Sequence, residues 1–118
     1  MHPNTRACLA YIASTLVNKN AHIVVFDYSQ SKRLVFTGSV SETSVNLYDH
    51  ERCCYITGAL SRIYDQSQKD YASLSIIGSQ VSGYDFSGEH QFCGDVDGNS
   101  VTFLEYDTSH RFCYRCGS

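Results

Sequence analysis

The sequence predicts an α+β fold, mainly β: one N-terminal amphipathic helix and an antiparallel meander of about ten short strands, strongly curled or barrel-like. Two observations carry this. Leu9, Ile12, Leu16 and Val17 recur at helical spacing near the N-terminus. From residue 22 the period changes to two, and an aromatic residue followed by Asp occurs five times: Phe26-Asp27, Tyr48-Asp49, Tyr64-Asp65, Tyr84-Asp85 and Tyr106-Asp107. The steps between the aromatics are 22, 16, 20 and 22 residues, a repeat that points to one structural unit used five times.

The helix is expected over residues 5–18. Asn4 or Thr5 can cap it by accepting its first free amides, and Asn18-Lys19-Asn20 is a plausible stop. Each later unit reads strand, turn, strand, turn. The first strands end at the Asp (IVVFD, VNLYD, SRIYD, VSGYD, TFLEYD), and the second strands read RLVFTGSV, CCYITGAL, YASLSII, QFCGDV and RFCYRC. Each Asp is expected to accept a backbone N–H two residues on, forming an Asx turn. The other turns fall near Glu42-Thr43, Ala59 to Ser61, Gly78-Ser79 and Asp97-Gly98, the last as a type I′ hairpin turn. Short connections of this kind make neighbours antiparallel and sequential. A meander this long curls, closes or splits. A curled sheet wrapped on the helix is the preferred picture, a closed barrel plugged or capped by the helix the second, and a flower-like ring of hairpins the third.

Alternation sorts the repeat by face. Phe26, Tyr48, Tyr64, Tyr84 and Tyr106 share one face. Val25, Leu47, Ile63, Gly83 and Glu105 share the other, with Ile23, Val45, Ser61, Val81 and Phe103 two residues earlier. The second row is apolar enough to pack on the helix. One helix covers one face, so the aromatic row has three readings: filler inside a closed barrel, a self-association surface, or a small-ligand or carbohydrate-like surface.

At 118 residues the chain fits one domain, residues 1–118. Nine Lys+Arg against twelve Asp+Glu give 9 − 12 = −3, which argues against a nucleic-acid binder. No apolar run reaches the roughly 18 residues that span a bilayer. Residues 7–17, ACLAYIASTLV, follow a single Arg6 and precede no small-x-small cleavage site, so a secretory signal is not expected. Six Cys permit three bridges, but Cys53 and Cys54 are adjacent and the others sit on apolar segments. That favours reduced thiols and a cytoplasmic location.

Motifs that could carry chemistry compete with plainer readings. Asp95-Val96-Asp97-Gly98-Asn99 starts like a calcium loop, but Ser100 and Tyr106 stand where Gly and Glu are required, so it reads as a hairpin turn. Cys113 and Cys116, with His110 nearby, have metal-ligand spacing, yet no second Cys pair completes a zinc site and a strand would turn the two sulfurs apart. No cofactor is expected. His50, His90 and His110 each stand three residues before a Cys, which suggests a Cys–His catalytic pair only if the fold closes it. A ring of the repeated Asp could hold cations only if several carboxylates converge. The expected working surface is the aromatic row Phe26, Tyr48, Tyr64, Tyr84 and Tyr106, in a non-enzymatic, homo-oligomeric binding module. The rival is a small enzyme or ligand pocket using His, Cys and Asp at strand ends.

The units LYDHERCCYITG, IYDQSQKDYASLSI, GYDFSGEHQFCGDV and EYDTSHRFCYRC resemble small bacterial proteins with repeated YD-hairpin segments, some of them products of integron gene cassettes. A more distant likeness is to four-fold beta-flower domains, from which the chain departs by having five units and no Trp. The resemblance implies a β-hairpin fold and homo-oligomerisation, and no catalytic residue.

Overall fold

The computed structural model describes residues 1–20, 24–106 and 108–117. Helix α1 spans Pro3–Asn18 and begins two residues earlier than the sequence suggests. Pro3 is already set for a first turn. His2, not Asn4 or Thr5, is the cap: its Nδ1 accepts the Asn4 N–H at 3.0 Å. That leaves the Asn4 and Thr5 side chains free for other partners. The helix stops where expected, at Lys19, which turns left-handed with φ 57°.

Ten strands follow in sequence order: β1 Val24–Asp27, β2 Lys32–Val40, β3 Val45–Asp49, β4 Cys54–Ala59, β5 Arg62–Asp65, β6 Asp70–Ile77, β7 Gln80–Asp85, β8 His90–Asp97, β9 Ser100–Glu105 and β10 Arg111–Gly117. Each pairs antiparallel with its neighbour, and β1 also pairs with β10 through Val25↔Cys116 and Phe26↔Arg115. The meander therefore closes into a barrel, neither an open curled sheet nor a ring of separate hairpins. Residues 21–23 and Asp107 of the expected repeat lie outside the described residues.

Closure decides what each face does. Val25, Leu34, Phe36, Leu47, Ile56, Ile63, Val101 and Phe103 point inward and are at most 1% exposed. They form one hydrophobic core with α1, which lies nearest β1, β2, β6, β8, β9 and β10. Residues 4–14 of the helix are buried on every side, where an amphipathic helix would bury one face. A 16-residue helix is about 24 Å long, against molecular extents of 31 × 30 × 29 Å, so it runs through most of the barrel. The outward wall carries Thr37, Ser39, Asn46, Thr57, Ser75, Ser82 and Thr102.

The turns explain the repeat. Ser31, Cys53, Lys69 and Glu89, each four residues after an Asp, adopt φ between 52° and 57°. The hairpin turns at Gly78-Ser79 and Gly98-Asn99 have positive φ at the glycine alone, the pattern of type II′ rather than the expected I′. Gly38 and Gly58 have φ 134° and 125°, and a Cβ on either would lie 2.0 or 2.3 Å from a backbone oxygen of the paired strand. These sharp bends let a sheet of this width close.

Ile12 is fully buried between helix and wall. Ile12→Ala should lower unfolding free energy by about 2–5 kcal/mol, measured by urea denaturation. A loss under about 1 kcal/mol would mean that the lumen packing is loose.

Candidate functional site

Two features concentrate functional side chains: an acidic ring inside one mouth of the barrel and an aromatic girdle outside it. The ring comes from the repeat. β1, β3, β5 and β7 each end in an Asp that points inward, and Asp27, Asp49, Asp65 and Asp85 are 0–3% exposed. All four make the expected Asx turn, accepting from the N–H of Ser29, Glu51, Ser67 and Ser87 at 2.9–3.2 Å.

The second oxygens of Asp49, Asp65 and Asp85 face the N-terminal end of α1, whereas that of Asp27 accepts from Gln30 Nε2 at 2.6 Å. Asn4 Nδ2 donates to Asp49 at 3.2 Å, the Thr5 hydroxyl donates to Asp65, and the Met1 amine lies 3.1 Å from Asp85. Arg52 bridges two of them, with Nε 2.6 Å from Asp49 and Nη2 2.9 Å from Asp65. Arg6 reaches Glu105 at 3.2 Å, which explains an acid on the inward row. Negative groups here also meet the positive end of the helix dipole. Burial works to raise the Asp49 carboxyl, but hydrogen bonds from Arg52, Asn4 and backbone amides outweigh it and hold it below its ordinary value. Asp85 is likewise lowered against the effect of burial, by the Met1 amine and Ser87.

Among the described residues, no group of three or more His, Cys, Asp or Glu is placed to hold a metal ion. The ring carboxylates are engaged with their own turns and with α1 instead of converging. Cys113 points outward and is exposed, whereas Cys116 points inward and its thiol lies 3.9 Å from the Ala10 carbonyl. Burial pushes the Cys116 thiol up to about 11 and the Cys8 thiol well above its usual range. His110 is exposed and stands edge-on to Phe112. The His50 ring meets the Thr37 hydroxyl at 2.7 Å, and Cys53 Sγ contacts the His50 carbonyl at 3.8 Å, so that pair does not join imidazole to thiol. All six cysteines are free.

The aromatic row lies outside the barrel, which overturns the reading that it fills the interior. The inward positions beside it, Val25, Leu47 and Ile63, belong to the buried core that includes α1. Phe26 packs on Tyr28, Tyr48 on Tyr55, Tyr64 on Tyr71 and Tyr84 on Phe86, each with centroids 4.9 Å apart. Tyr28, Tyr55, Tyr71 and Phe86 are exposed and extend the row into a girdle that the repeat alone did not reveal. Tyr55 and Tyr71 stand opposite Tyr48 and Tyr64 across their hairpins, a register the YD spacing implies once the turn length is known.

The structure divides this girdle. Tyr84, Phe86 and Tyr106 line an open groove of about 840 Å³, together with Gln91, Ser73 and Ser82. Phe26 borders a separate hollow of about 170 Å³ with Arg33 and Arg115. Tyr48 and Tyr64 line neither. No family model, curated protein or solved structure matches the chain. No helix among the described residues is long and apolar enough to cross a membrane.

Arg52 is shared by Asp49 and Asp65, and Arg52→Met should cost about 3–5 kcal/mol in urea denaturation, because two buried carboxylates lose this partner. The acid ring should also set the acid limit of the fold. Asp49 and Asp85 have folded values below the unfolded value of about 3.9. Their contribution is therefore complete above that pH and is lost as pH falls through the folded values. Thermal midpoints followed by circular dichroism should be level near pH 6 and drop below about pH 4. A midpoint unchanged down to about pH 2.5 would show that the ring adds nothing.

Proposed function

We propose that the chain is a non-enzymatic binding module that works as a homo-oligomer, with the outer aromatic girdle as its contact surface. One observation carries the reading: the repeat places its aromatic residues on the outer wall at one end of the barrel, each of four backed by a second, solvent-exposed ring. Tyr presents a large apolar ring with a hydroxyl that tolerates water, which suits a surface that alternates between free and bound states. A second copy of this chain is the occupant we favour for the sector around Tyr48, Tyr55, Tyr64 and Tyr71. Rings of one kind meet each other there without needing opposite charge. Six free thiols support a reducing, cytoplasmic setting. The likeness to bacterial YD-hairpin proteins points the same way.

The small-enzyme reading has less to stand on, since His50 and Cys53 are engaged with other groups. Light scattering on the wild type should give a mass of at least two chains. Tyr48→Ala with Tyr64→Ala should raise the dissociation constant at least about ten-fold while leaving the circular dichroism spectrum unchanged. A strictly monomeric wild type at about 100 μM would overturn the self-association.

A further inference from the structure

We infer that the groove between Tyr84 and Tyr106 binds a neutral oligosaccharide. The inference rests on the binding-module reading and assigns a different sector of the girdle. It begins from register. Ser73 stands opposite Tyr84 across β6 and β7, and Tyr84 stands opposite Gln91 across β7 and β8. The Tyr106 N–H donates to the Gln91 carbonyl at 3.2 Å, which brings the end of β9 alongside. Four consecutive strands thus present Ser73, Tyr84, Gln91 and Tyr106 side by side on the outer wall. A second row, Ser75, Ser82 and Cys93, runs parallel to it.

The chemistry of these rows is specific. Tyr84 and Tyr106 are two strands apart, so their rings stand roughly 9–10 Å from each other with the Gln91 amide between them. Ser73, Ser75 and Ser82 are too short to fill the space between the flanks. The result is a trough rather than a flat wall. Its volume, about 840 Å³, is within the range of small-molecule sites. Among the described residues that line it, only Glu42 carries a charge.

A sugar chain matches each of these features. Its pyranose rings offer apolar C–H faces that lie on tyrosine rings, and its hydroxyls pair with serine hydroxyls and a planar amide. Two platforms with an amide between them suit a ligand of several linked rings. An anionic ligand finds no Lys or Arg along the groove, and the net charge of −3 opposes it further.

The purified protein is titrated with cellohexaose, maltohexaose, xylohexaose and chitohexaose, and with a heparin hexasaccharide as the anionic arm. Heat and tyrosine emission report binding, the latter usable because the chain has no Trp. At least one neutral hexasaccharide should bind with a dissociation constant below about 1 mM. Tyr106→Ala and Gln91→Ala should each weaken it at least ten-fold, and Asn46→Ala, on the outward wall of β3 and outside both the groove and the girdle, should leave it unchanged. The inference is overturned if no neutral hexasaccharide binds, if the heparin fragment binds more tightly, or if binding survives both groove substitutions in protein with an unchanged circular dichroism spectrum. Light scattering on the same samples separates the two readings. Loss of self-association with sugar binding intact removes the oligomer alone, and the converse removes the sugar alone.

Discussion

A ten-stranded barrel encloses more space than its inward side chains can fill. At about eight strands the side chains alone suffice, and beyond that the lumen holds water, ligand or protein. Here α1 is the filling. Leu9 and Ile12 share one buried core with Val25, Phe36, Leu47, Ile56 and Phe103 of the wall, all at most 1% exposed. The dependence runs both ways. A short isolated helix is marginal in water, and its stability comes from packing. Without a rod to close around, the meander would expose its inward apolar face. Helix and barrel are thus one cooperative unit, and neither is a plausible fold alone.

The repeated Asp links this core to the turns. One oxygen of each carboxylate holds its own turn, which fixes where the strand ends. The other oxygen of Asp49, Asp65 and Asp85 reaches inward to Asn4 or Arg52, to Thr5, and to the Met1 amine. The local turn signal therefore also sets how deep the helix sits. Burying several carboxylates together is costly, and the helix dipole, Arg52 and the amine supply the compensating positive charge. Arg52 belongs to the turn after Asp49, so the repeat unit that brings an acid also brings the cation shared with the next unit. This arrangement gives the Asp residues a structural role that accounts for their recurrence without any bound ion.

The fold was legible in the sequence to the extent that its determinants are local. The period of two from residue 22 specified ten strands, and short turns specified a meander. Alternation separated Val25, Leu47 and Ile63 from Phe26, Tyr48 and Tyr64, but it could not say which row faced inward. That depends on closure, which rests on pairing between β1 and β10, ends of the chain far apart in sequence. The same limit hid the Arg6–Glu105 pair, and it made Glu105 look like a flaw in an apolar row. The His2 cap was missed because Asn4 and Thr5 are better intrinsic caps, and only the Asp ring shows why they are used elsewhere. The groove was invisible for a related reason. Ser73, Ser82 and Gln91 are unremarkable in sequence and become a site only when register sets them beside Tyr84 and Tyr106.

Closure also constrains how this protein can meet anything else. A closed barrel has no free strand edge, so strand addition, a common route by which sheets recruit a partner, is not open to it. Contact must be made by side chains on the wall or at the mouths. The mouth at the N-terminal end of α1 is occupied by ion pairs among buried groups. Away from the girdle the wall carries residues such as Thr37, Ser39, Asn46, Thr57 and Thr102, which give up water for little gain. The aromatic girdle is different, since its rings can bury large apolar area at low entropic cost. The repeat that builds the barrel therefore concentrates its interaction chemistry as well: four of its hairpins each contribute one Asp to the inside and one ring to the outside, in adjacent positions. Selection for the turn and selection for the surface act on neighbouring residues of the same dipeptide.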